Sequence, residues 1–263
     1  MLKALLSKLT KYRDLFGILT QASGDGGDSA QRTGSLYALL AALKAEQDDR
    51  GKSVIEGFRY DLDKLQAFPG RYRRHPDGRC ENGRWVKWYA NPNNFTRDQS
   101  SVLQAAMVML DMESELRDIY AQRKTRYLFH FNSESYDDSE PIRTKFPDPP
   151  SLIEVGQFIR GLHKWYLYPL LLITDLELFG FLILRKFSER TRYDSGNMYV
   201  PLLLSSLHRY ATPWGILAKK LYSRTNDMAD VRKYYSEAEG RNGLEPLGEL
   251  YELVFNTVIK GEK

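Results

Sequence analysis

Apolar residues recur along this chain at steps of three and four. That is the repeat of an α-helix with one buried face, and it excludes most other ways of burying those side chains. Leu2, Leu5, Leu6, Leu9, Tyr12, Phe16 and Leu19 predict an amphipathic first helix, broken by "GDGGD". Leu36, Leu39, Leu40 and Leu43 mark a second, and Val54 to Phe68 a third, stopped by Pro69-Gly70. Val102 to Met112 is nearly all apolar and predicts a buried helix. Helical pattern continues from Glu113 to Tyr127 after a bend. Ile153 to Tyr166, Met198 to Tyr210, Thr212 to Arg224 and Leu247 to Ile259 complete the series. Only "RWVKWY" alternates like a strand. The expected fold class is therefore all-α, a stack of about nine to eleven helices in a single domain over 1–263. Residues 132–150, "NSESYDDSEPIRTKFPDPP", form an acidic, proline-bearing loop between its two halves.

Composition supports a packed core: 42% of the 263 residues are hydrophobic and 27% charged. A net charge of +4 is too mild to imply nucleic acid as a partner. Cys80 is the only cysteine, so no intrachain disulfide forms; this fits a reducing cytoplasm, which is slightly favoured, and also a disulfide-free secreted protein. Lys3, Lys8 and Lys11 interrupt the apolar start, which does not read as a secretory signal. Trp165 to Leu184 approaches the length of a membrane span. Pro169, Asp175, Glu177 and Gly180 lie inside it, and acids are expensive in lipid. The expectation is a soluble protein with no stable span, this segment being a buried helix or two helices broken near a turn.

Three stretches share a form: "GGDSAQRTGSLYALLAAL", "NNFTRDQSSVLQAAMVML" and "DSGNMYVPLLLSSLHRY". Each has a polar turn, then small residues, then an apolar helix. Their spacing is not constant, so this is no short tandem repeat, but it suits helical hairpins whose inner helices start on one face. In "DGGDSAQR", Asp28 or Ser29 is the expected N-cap, leaving Asp25, Gln31 and Arg32 for a partner or a ligand. In "NPNNFTRDQ", Thr96 is the expected cap, leaving Asn91, Asn94, Arg97, Asp98 and Gln99. Between them lies a long basic loop carrying Arg71, Arg73, Arg74, His75, Arg79 and Arg84. Trp85, Trp88 and Tyr89 are interleaved, a combination suited to anions and to ring stacking. The four histidines show no metal-ligand spacing, and no cofactor-binding motif occurs.

A polar turn, an Arg-x-Gln helix start and then small and apolar residues resembles the inner helices of the (α/α) toroid enzymes, the six-hairpin glycosidases and related polysaccharide lyases. The resemblance covers two or three short turns. It implies a toroid or partial toroid whose inner-helix ends bind sugar, with Asp28, Arg32, Arg97, Asp98 and Gln99 at matching positions. The ligand it implies is an acidic glycan. If the chain is an enzyme, it is a glycoside hydrolase or a polysaccharide lyase. Hydrolysis needs two carboxylates, for which Asp28 and Asp98 are the candidates. Elimination needs a base, such as Tyr89 or His75, and a neutraliser of the uronate, such as Asn94 or Arg97. Substrate contacts would come from Asp25, Gln31, Arg32, Arg73, Arg74, Trp88, Asn91, Asn94, Arg97 and Gln99. Two other readings stand beside this one: a helical interaction protein without chemistry, and a single-stranded nucleic-acid binder using the basic aromatic loop.

Overall fold

The computed structural model describes residues 1–21, 27–77, 80–81, 84–85, 90, 92, 95–123, 152–184, 189–224, 228–236 and 243–262. Among them the protein is all-α. The helices are α1 (Leu2–Leu9), α2 (Ser29–Ala42), α3 (Val54–Leu65), α4 (Arg97–Met109), α5 (Glu113–Arg123) and α6 (Leu152–Gly161). They are followed by α7 (Tyr168–Leu184), α8 (Glu189–Leu207), α9 (Pro213–Arg224), α10 (Met228–Tyr235) and α11 (Glu245–Val254). Two small antiparallel hairpins interrupt them, β1 (Gln66–Phe68) with β2 (Arg71–Tyr72), and β3 (Cys80–Glu81) with β4 (Arg84–Trp85). The acidic loop over 132–150 lies outside the described residues.

Helices α2, α4, α6 and α8 form the interior, and named contacts show that they run in one direction. Gly34 of α2 sits against the backbone of Val102 and Leu103 in α4. Gln104 of α4 meets Glu154 of α6, and further along Val108 approaches Gly161. Gln157 of α6 meets Ser205 of α8. Helices α3, α5, α7 and α9 pack around this set, α7 against α6 and α9 above all. One apolar core extends from Leu6 to Ile259.

The four interior helices also stop in the same way. Two residues past each end sits a non-glycine residue with positive φ: Lys44 (φ 52), Asp111 (φ 57), His163 (φ 52) and Arg209 (φ 46). In the first three cases that residue donates its N–H three residues back. The next N–H, of Ala45, Met112 or Lys164, reaches five residues back. This is the Schellman closure, which satisfies the last carbonyls of a helix. The resemblance between the α2 and α4 stretches thus extends to a shared ending, which α6 also has. The third stretch is corrected, since its polar turn over 194–197 lies inside α8, which starts at Glu189 and not at Met198.

Two helix expectations are corrected. The first helix stops at Leu9 and a 3-10 turn at Tyr12, short of Leu19. Asp14 folds the chain back by accepting the Phe16 and Ile18 N–H groups, Gly17 adopts φ 74, and Leu15 is fully exposed. The turn sends Arg13 inward, where it grips both oxygens of Asp49 at 2.8 and 2.9 Å and reaches Asp61. Arg50 completes that network through Asp48, Asp61 and the Tyr37 hydroxyl. The third helix ends at Leu65, three residues early, because Gln66–Phe68 pairs across Pro69-Gly70 with Arg71–Tyr72. Over Trp165–Leu184, expected to be a buried helix or two helices broken near a turn, burial is corrected. The segment is a 3-10 turn followed by α7, with only 28% of its apolar window buried.

Candidate functional site

The polar starts of α2 and α4 come together, and neither is capped as the sequence predicts. Asp28 stands at the N-cap of α2 and Thr96 at that of α4, yet neither side chain bonds its own helix. By contrast Ser53 caps α3 in the ordinary way, accepting the Glu56 N–H at 3.2 Å. The exposed N–H groups of α2 are met from elsewhere in the chain. The Arg74 carbonyl takes Ala30 N–H at 2.9 Å, and Gln99 Oε1 takes Gln31 N–H at 2.9 Å. Long-range acceptors thus release the Asp28 side chain for other partners.

Those partners centre on Asp28 and Arg74. Gln99 Nε2 donates to Asp28 Oδ1 at 3.0 Å. Arg74 lies 3.6 Å from the same oxygen, donates to the Gly27 carbonyl at 3.2 Å and to Thr96 Oγ1 at 3.2 Å. Arg32 lies behind them, buried, 3.8 Å from Asp28 Oδ2 and donating to Gln21 Oε1 at 3.4 Å. The Asp28 side chain keeps 34% of its surface open to solvent while Arg32 and Gln99 are closed off. The cluster is therefore a floor with one open carboxylate, held by amide and guanidinium donors. Such donors can also bind a carboxylate or sulfate, and the open acid can accept sugar hydroxyls.

Of the residues singled out in the sequence, Asp28, Arg32, Arg74, Gln99 and the Gln31 backbone are brought together. Asp98 lies in the first turn of α4 and is exposed. Arg73 is half-buried and donates to the Lys64 carbonyl at 3.3 Å; burial lowers its pKa from the usual guanidinium value. Asp25, Trp88, Tyr89, Asn91 and Asn94 lie outside the described residues, as does the side chain of Arg97.

The start of the basic loop is corrected from surface to core. Arg71, Tyr72 and His75 are all buried, because the β1–β2 hairpin folds this stretch onto the start of α2. His75 Nδ1 accepts the Asp77 N–H at 3.0 Å, so Nε2 carries the proton, 2.8 Å from Asp14 Oδ2. Both nitrogens are occupied, which removes His75 as a general base. Burial pushes the Asp14 carboxyl up, but His75 and the N–H groups of Ile18 and Phe16 outweigh it, and its pKa is lowered.

Two polar groupings escaped the sequence. Inside the bundle, Gln104 Nε2 bonds Ser100 Oγ at 2.7 Å and buried Glu154 at 3.0 Å. Gln157 bonds the Ser101 carbonyl, and Arg160 bonds Asp175 at 2.6 Å. A polar stripe at Glu154, Gln157 and Arg160, one helical turn apart, was the available signal. At the opposite end, Asp111 contacts His208 at 3.1 Å and Arg209 at 3.0 Å, and Arg209 also contacts His163. Spacing along the chain could not reveal that grouping, since it joins three helix ends. Among the described residues no group of three or more His, Cys, Asp or Glu side chains converges as a metal site. Set against known protein families, curated proteins and solved structures, the chain matches none of them.

Proposed function

We propose that the floor between the starts of α2 and α4 binds an acidic glycan, with Arg74 on the acid group and Asp28 on hydroxyls, while buried Arg32 holds Asp28 from behind. The observation that carries this reading is the double release of the caps. Asp28 and Thr96 leave their own helices and gather around Arg74, at the open end of an otherwise buried helix pair. A purely structural start would be satisfied by one local cap each. What supports the toroid resemblance is that four interior helices run in parallel and alternate with outer helices, three of them closing with the same Schellman turn. On this reading the toroid is a partial one, in which α8 packs on both α2 and α4.

Cleavage is a further step within the same reading. For hydrolysis Asp28 would serve as one carboxylate and exposed Asp98 as the other; elimination would fall to Tyr89, since His75 is engaged with Asp14 and the Asp77 N–H.

Titration calorimetry of the protein with oligouronates and with neutral oligosaccharides tests the proposal. The expected result is binding of the acidic set alone, weakened about tenfold or more by Arg74→Ala, while stability falls by only about 1–2 kcal/mol. Loss of several kcal/mol of stability with unaltered binding would show the floor to be structural. Release of reducing ends, abolished in Asp28→Asn, distinguishes cleavage from binding.

A further inference from the structure

Helix α7 belongs to the most apolar segment of the chain, with mean hydropathy 1.9 over the window at Trp165–Leu184. A core helix of that composition would be mostly buried, whereas 28% of this window is. Leu170, Ile173, Leu176, Phe181 and Leu184 are all exposed, and they fall along one side of the helix. Among the described residues nothing packs over them. The acids that argue against lipid contact are engaged with the protein. Asp175 is buried and receives hydrogen bonds from Arg160 and Thr212. Glu177 is half-buried and accepts the Ile153 N–H at 2.9 Å, at the start of α6.

Three further observations say what covers this side. First, Trp165 and Tyr166 stand exposed at its N-terminal end, Trp165 by 67%, where amphipathic rings favour a lipid–water boundary. Second, cations gather at that end. Lys164 precedes the tryptophan, and Arg209 reaches this end through its contact with His163; Asp111 offsets part of that charge. In the sequence Arg185 and Lys186 follow the other end. Third, a cleft of about 520 Å³ continues from Tyr166 and Leu170 between α5, α6 and α7. Tyr120, Phe158 and Leu162 line it, together with Arg117 and Lys164; Arg117 is also paired with Glu113. An apolar cleft with cations in its lining suits an acyl chain beneath an anionic headgroup.

We propose that the α7 side of the protein docks onto the surface of an anionic lipid bilayer. The helix lies in the plane of the interface rather than crossing it. Its inner side is tied to α6 and α9 through Asp175, Arg160 and Thr212, and the half-buried Glu177 limits how deep it sinks. Basic groups at the aromatic end meet the headgroups, the apolar side chains enter the acyl boundary, and the cleft accommodates a lipid chain.

The test uses the full chain with phosphatidylcholine vesicles, with and without phosphatidylserine, at low and high salt. Brominated acyl chains should quench part of the tryptophan fluorescence when phosphatidylserine is present, and Trp165→Phe should lose that quenching. Binding should weaken at high salt. Ile173→Glu should lower vesicle partitioning about tenfold or more without changing the circular dichroism spectrum. Quenching depends on the unaltered protein, so it stands even if the glutamate variant misfolds. Failure to bind phosphatidylserine vesicles would overturn the proposal. Equal binding to vesicles without phosphatidylserine would overturn the anionic partner. Concentration-dependent dimerisation abolished by Ile173→Glu, with no vesicle binding, would assign this side to a second copy of the chain.

Discussion

Asp28 and Thr96 occupy positions where a helix start normally uses a side-chain oxygen on its own backbone. Local chemistry predicts that use, and it fails at Asp28 because Gln99 and the Arg74 carbonyl arrive from distant parts of the chain, while the Thr96 hydroxyl accepts from Arg74 instead. Asp28, Arg32, Arg74 and Gln99 were picked out by their polarity beside apolar runs, whereas Gln21 and the Gly27 carbonyl were not. Their bonding was not legible, because it depends on which elements meet. His75 shows the same limit: a histidine among arginines suggests an exposed site, yet the hairpin buries it against Asp14. That contact has a consequence for acid stability. Asp14 keeps its charge in the folded protein to lower pH than in the unfolded chain. Its contribution is therefore present above the ordinary carboxylate range and is lost as pH falls through that range toward the folded value. Asp14→Asn should lower stability at neutral pH and make the acid side of the stability profile shallower. Urea midpoints measured across that range check both effects.

At the level of single elements, periodicity located most helices but could not say where they stop. Tyr12, Phe16 and Leu19 fit a helical repeat by spacing alone, and one aspartate and one glycine redirect the chain. Helix α10 was missed although Met228, Val231, Tyr234 and Tyr235 are buried at helical steps, because the element is short and lies among polar residues. The glycines of α2 and α7 give opposite expectations for one substitution. A Cβ at Gly34 would lie 2.7 Å from Leu103 N and from Val102 C and O, backbone atoms that cannot swing aside. Gly34→Ala should cost about 3 kcal/mol or more by forcing α2 and α4 apart. At Gly180, within α7, a Cβ meets nothing within 4 Å. Gly180→Ala should stabilise by about 0.5–1 kcal/mol through helix propensity. Thermal and urea denaturation of the two variants checks the signs together.

Across the whole molecule, the all-α class follows from the sequence because a 3.6-residue repeat leaves few alternatives. The common direction of the interior helices does not. It rests on contacts such as Gln104 with Glu154 and Asp111 with His208, which join residues far apart in the chain. Because one apolar core reaches from Leu6 to Ile259, unfolding should be a single event. Far-ultraviolet and near-ultraviolet circular dichroism should trace superimposable urea transitions; separated midpoints would indicate two independently folding halves. The close approach at Gly34 also bears on kinetics. With the backbone of α4 pressed against α2 one to two turns below Asp28, neither helix can slide past the other without separating. The proposed glycan would then meet a floor already built, so its association should proceed in one step, at a rate proportional to ligand concentration rather than limited by a slow rearrangement; stopped-flow mixing checks this.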